Sequence, residues 1–85
     1  ENAAYLDSLG WVHYRLGDVA QAEHWLRRAI AVGGDDGTVL SHLGEVLLRK
    51  GEVDEPRQLL RQALAVGCEH PEHVRELVDS LGDDR

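Results

Sequence analysis

The amino-acid sequence predicts an all-α fold, an α-solenoid of two helical hairpins lying side by side and closed by a fifth helix. Three observations lead to it. Residues 3–36 laid over residues 37–70 without a gap give 13 identities in 34 positions, where chance would give about two or three. Within each 34-residue unit the apolar residues recur at helical spacing, in two separate stripes. Gly17 and Gly51 stand at the same offset between the stripes, where a helix C-terminus favours a residue that reaches positive φ.

The first stripe, Leu6, Leu9, Val12 and Leu16, predicts a helix near residues 4–16. Asp18, with Gln21 three residues on, is an N-cap for a second helix near 19–32, whose stripe is Val19, Ala22, Leu26, Ala29 and Ile30. Gly33-Gly34-Asp35-Asp36-Gly37 ends the unit, and a third helix near 38–50 repeats the first. The fourth, near 54–66, carries Pro56. With Glu52 as N-cap, that proline would occupy the first position whose amide should donate within the helix; with Asp54 as N-cap it falls inside the tolerated first turn. The fourth helix is therefore expected to start later than its counterpart in the first unit. Gly67 through Pro71 closes the second unit, and Val74, Leu77 and Leu81 in residues 71–81 repeat the first-helix pattern without a second helix behind them, as a cap would. Residues 1–85 read as a single domain: repeats 3–36 and 37–70, capping helix 71–81 and tail 82–85.

Composition narrows the function. A 9.5 kDa chain buries only about 60–65% of its unfolded surface, so the core must be thin. Phe and Met are absent, and the larger rings are Tyr5, Trp11, Tyr14 and Trp25. The net charge is −7, with nine basic residues scattered among sixteen acids. That balance argues against nucleic acid and against an anionic membrane surface, both of which need clustered Lys and Arg. No window approaches the roughly 18 apolar residues of a spanning helix. The single Cys68 excludes an internal disulfide framework and leaves the redox compartment open. The chain begins Glu1-Asn2, without an initiating Met, which suggests a piece of a longer protein.

The repeat resembles the tetratricopeptide family. That family's first-helix signature, W-x2-L-G-x2-Y, is matched by Leu6-x2-Leu9-Gly10-x2-His13 and by Leu40-x2-Leu43-Gly44-x2-Leu47. Its second-helix pattern of small, large and small residues is matched by Ala22-x3-Leu26-x2-Ala29 and, with Pro56 in place of the usual alanine, by Pro56-x3-Leu60-x2-Ala63. The family's terminal Pro is replaced by Gly34 and Cys68. The resemblance covers residues 3–70 and implies a right-handed superhelix that binds proteins or peptides. Gly10, Ala22 and Ala29 would let the paired helices approach closely, and His13 would take the place of the family's packed aromatic. The run Leu6-Asp7-Ser8-Leu9-Gly10-Trp11-Val12-His13-Tyr14-Arg15-Leu16-Gly17, with His42-Leu43-Gly44-Glu45-Val46-Leu47, further looks like the C-terminal repeats of large bacterial members, some of them outer-membrane lipoproteins. This implies a bacterial source and a scaffold or adaptor role, with the compartment open between cytoplasm and periplasm.

Carried over position by position, the family's concave binding face comprises Asp7, Ser8, Trp11, Tyr14 and Arg15 from the first helix. To these it adds Ser41, His42, Glu45, Leu48 and Arg49 from the third, and Arg75 and Asp79 from the cap. Trp11 and Tyr14, three residues apart, make an aromatic pair near Arg15 and Arg49, a composition that concentrates binding energy. The expectation is a peptide anchored on the two rings, its charges met by the two arginines. Alternatively the rings pack against a preceding repeat or a second copy, and the arginines are solvated or paired with acids such as Glu45. Chaperone-binding members clamp a C-terminal carboxylate with Lys and Asn on this face, but Asp7 and Trp11 occupy the positions where such a clamp begins, so that ligand is not expected.

Cys68-x-His70-x2-His73 gathers three potential metal ligands, yet lacks the paired spacings of structural zinc sites, and no metal or cofactor is expected. His24 and Trp25 read as exposed or convex. No phosphate loop, nucleophile elbow or isolated carboxylate pair is present, so catalytic residues are not expected and the chain does not read as an enzyme. Gly33-Gly34 reads as a helix terminus, and Asp35-Asp36 and Asp83-Asp84 as solvated turn and tail. The leading reading is a protein-interaction module. The runner-up is an architectural capping segment of a longer array, self-associating through its exposed terminal helix, since about three units are needed for stability.

Overall fold

The computed structural model describes residues 2–34 and 36–82; Asp35, the Asp83-Asp84 pair and most of the 82–85 tail lie outside them. Five helices run in order: α1 (Ala3–Arg15), α2 (Val19–Gly33), α3 (Gly37–Arg49), α4 (Asp54–Val66) and α5 (Pro71–Leu81). No strand occurs among the described residues. α1 packs on α2 and α3 on α4 as hairpins, α2 on α3 joins the hairpins, and α5 packs on α4. Each boundary falls within one residue of its expected place.

The turns explain that agreement. Leu16 closes α1, the Gly17 amide donates to the Tyr14 carbonyl at 3.0 Å and the Asp18 amide to that of His13 at 2.9 Å, with Gly17 at φ 87°. This is the Schellman pairing that glycine permits. The same pair recurs one repeat on, from Gly51 to Leu48 and from Glu52 to Leu47, at 2.9 and 3.1 Å. Asp18 Oδ1 accepts from the Gln21 amide at 3.1 Å, capping α2. Asn2 and Asp36, equivalent by repeat register, each cap their helix by accepting from two amides. Asp36 is thus an N-cap as well as a turn residue. The third equivalent, His70, makes no side-chain cap and sits at φ 55° before Pro71.

α4 does begin one residue later than the register of α2 demands, but its N-cap is Val53, neither Glu52 nor Asp54. Pro56 then lies in the first turn, where a missing amide proton costs nothing.

The core holds Leu6, Ala22, Leu26, Ala29, Val39, Leu43, Val46 and Leu47, with Leu40, Leu60, Ala63 and Val74 buried as well. Gly10 and Gly44 set the hairpin spacing: a Cβ on either would fall 2.8 Å from the Cγ of Leu26 or Leu60.

Part of the first stripe departs from expectation. Val12 is 54% and Leu16 75% exposed, and Tyr5 beside them 66%. The equivalents of Tyr5 and Val12 in the second unit, Val39 and Val46, are 4% and 0% exposed. The difference is a neighbour: α2 packs against α3, whereas no described helix covers that side of α1. Trp25, expected on the convex surface, is half-buried and packed against the core, edge-on to the exposed His24. Arg57 was not foreseen inside: it is only 8% exposed and its guanidinium donates to the Leu81 carbonyl at 3.3 Å, tying α4 to the end of α5.

Candidate interaction face

The first helices of the repeats, α1, α3 and α5, share a face on which side chains meet across helix boundaries. At its centre Trp11 stacks on Tyr14, one turn along α1, with ring centroids 4.7 Å apart and planes 27° from parallel. Trp11 also stacks on His42 of α3, at 4.0 Å and 19°. The His42 ring is held in place from its other edge, since Nδ1 donates to Asp7 Oδ1 at 2.7 Å. That pairing fixes the orientation of the half-buried imidazole. Arg49 completes the strip, its guanidinium carbon 5.2 Å from the centroid of the Tyr14 ring, within cation–π range.

Toward the cap, Glu45 Oε1 lies 3.2 Å from Nε2 of His73, joining α3 to α5. Between these contacts lies a cleft of about 110 Å³, walled by Trp11, His42, Glu45, Glu69, His73 and Val74. Its rim is anchored where the Glu69 amide donates to Thr38 Oγ1 at 3.0 Å.

Of the residues expected on the binding face, Asp7, Trp11, Tyr14, His42 and Arg49 form one connected strip, and Ser41 and Glu45 line the cleft. The others stand apart from that strip. Ser8, Arg15 and Asp79 are exposed, Leu48 is half-buried, and Arg75 is exposed near Cys68. Glu45 pairs with His73 instead of an arginine. His13 is half-buried and faces Asp18 of its own turn, with Nδ1 4.0 Å from Oδ2.

Sequence reasoning missed His73, Glu69 and Val74 as part of this face. Repeat register places Val74 with Leu6 and Leu40, core positions, and so does identify a buried residue; nothing in the spacing announces that Glu69 and His73 flank it at a cleft. Among the described residues no group of three or more His, Cys, Asp and Glu is placed to hold a metal ion. His73 is turned to Glu45, and burial pushes the Cys68 thiol up from its ordinary pKa.

On another surface a second polar network ties the hairpins together. Arg27 of α2 donates to both carboxylate oxygens of Glu55 on α4, each at 2.9 Å, and to Glu23 at 2.8 Å. Lys50 donates to Glu23 at 2.7 Å. The Lys50 hydrogen bond, with Arg27 assisting, holds Glu23 below its usual carboxylate range, and the Arg27 hydrogen bonds do the same for Glu55. Both cations are raised in turn, Arg27 chiefly by Glu55 and Lys50 by Glu23.

Stacked helical hairpins of equal length, with glycine at the crossing point of each, define a helical-repeat protein. A tetratricopeptide repeat family model matches residues 2–33 and 37–70, and the chain belongs to the tetratricopeptide repeat family. Tetratricopeptide repeats generally serve as protein–protein interaction modules, and the family is a non-catalytic scaffold family. No match was found among curated proteins. No described helix is long and apolar enough to cross a membrane.

Proposed function

We propose that the chain binds a peptide or partner protein on the face shared by α1, α3 and α5, with Trp11 and Tyr14 as anchors and Arg15 and Arg49 meeting the partner's acidic groups. The observation that carries this reading is the stack of Trp11 on both Tyr14 and His42, which preorganises an aromatic platform across two helices. Rigid aromatic rings give large contact area at little entropic cost, which is why they dominate interface energies. The cleft beside Trp11 supplies the concavity that a side chain needs.

The test is selection of a displayed random peptide library on the protein. Selected peptides should lose at least about tenfold in affinity, or about 1.4 kcal/mol, on Trp11→Ala with Tyr14→Ala, while the helical circular dichroism is kept. Peptides that bind the double variant equally well would remove the site.

A second reading, a capping segment of a longer array, draws on Val78 and on the open side of α1. Val78 occupies in α5 the register of Gly10 and Gly44, where a helix could not cross a side chain at the spacing of the two hairpins. Tyr5, Val12 and Leu16 leave an apolar stripe for a further helix or a second copy. Sedimentation equilibrium separates the two: concentration-dependent association without peptide binding favours the cap.

A further inference from the structure

We propose that the cleft between Trp11 and Val74 is a subsite for a basic side chain, lysine or arginine, of the bound peptide. This rests on the groove reading above and adds the charge of the ligand. The cleft is bounded by two carboxylate residues on different elements, Glu45 from α3 and Glu69 from the loop before α5, and neither Lys nor Arg lines it. Three histidines, His42, His70 and His73, also line it, and two of them face acids, His42 Nδ1 toward Asp7 and His73 Nε2 toward Glu45. Trp11 and Val74 form apolar walls against which the alkyl stem of a long cation lies while its head reaches the acids.

Size agrees with charge. About 110 Å³ holds the volume of a few waters at about 30 Å³ each, enough for an alkylammonium or guanidinium end. The cleft is fixed on three elements before any ligand arrives, through the Thr38–Glu69 and Glu45–His73 contacts. Arg49 stands over Tyr14 on the same face, away from the cleft lining. The cleft lining is therefore acidic, through Glu45 and Glu69, while Arg49 makes the Tyr14 end of the face basic. A peptide with a basic residue and an acidic residue in the matching order would bind in one direction only.

The test is titration of isotope-labelled protein with N-acetyl-lysine N-methylamide and, in parallel, with its norleucine and glutamate counterparts, followed by nuclear magnetic resonance. The lysine compound should shift the Trp11 indole proton and the Val74 and His73 amides saturably, with at least about tenfold greater affinity than norleucine. Glu45→Gln with Glu69→Gln should remove that advantage while leaving the rest of the spectrum in place. Higher salt should reduce lysine binding and leave norleucine unchanged, a reading that does not depend on the variant. Equal binding of norleucine would make the cleft a plain apolar pocket, and a preference for glutamate would reverse its charge; either overturns the inference. Library peptides that bind through Trp11 with no basic residue would also overturn it and leave the groove standing. A lysine preference without any Trp11-dependent peptide would do the opposite.

Discussion

The Cγ of Leu60 lies 2.8 Å from where the Cβ of any side chain on Gly44 would sit, and Leu26 stands in the same relation to Gly10. The two hairpins thus share one crossing geometry, set by a missing side chain. Gly44→Ala gains helix propensity of about 1 kcal/mol but forces Leu60 out of a fully buried position. We expect net destabilisation of about 1–3 kcal/mol, read from urea unfolding. A neutral or stabilising Gly44→Ala would show that the hairpin can open without loss.

Acid should weaken the contact between the hairpins. Glu23 and Glu55 have folded pKa values below the usual glutamate value of about 4.3. Their contribution is present in full above that value and is lost as pH falls through the lowered folded values. The thermal midpoint is expected to drop below about pH 4, and less steeply in Arg27→Ala, which removes the chief cause of the Glu55 shift and part of that on Glu23. Because Arg27 and Glu55 are each 43% exposed at the side chain, the effect should be small and shrink in high salt. Identical acid profiles for the two proteins would refute the assignment.

The hold of α4 on α5 should depend on Arg57. Its guanidinium reaches the Leu81 carbonyl and, at 3.5 Å, Asp54, while its Nε is buried without a partner among the described residues. Arg57→Ala is expected to cost about 1–2 kcal/mol, through lost packing of the stem and a lost hydrogen bond to a charged group. Arg57→Met should cost less, since it fills the space and removes the unpaired Nε. Amide hydrogen exchange should locate the loss in α5 and leave α1 unchanged; uniform loss across the chain would contradict it.

Much of the fold was legible because its signals are local. Gly17, Gly51 and Asp18 state where helices stop and start, and the 34-residue period states which helices are alike. Less of the candidate face was legible. Trp11, Tyr14, Asp7, His42 and Arg49 were placed on it through the family resemblance, but their stacking and the Asp7–His42 bond depend on the distance between α1 and α3. Glu69 and His73 entered only because α5 folds back beside α3. The misreadings have the same origin: Val12 and Val46 are identical residues at one register position, yet one is exposed and the other is not.

By itself the sequence determined the helices, their caps, the repeat and the small residues at the crossings, since periodicity and backbone conformation are properties of a stretch of chain. Only the tertiary structure decided which apolar stripe is covered, that Arg57 turns inward, and that Trp11, Glu45 and Glu69 enclose one cleft. Burial and charge pairing depend on a neighbour, and neighbours are chosen when helices distant in the chain come together.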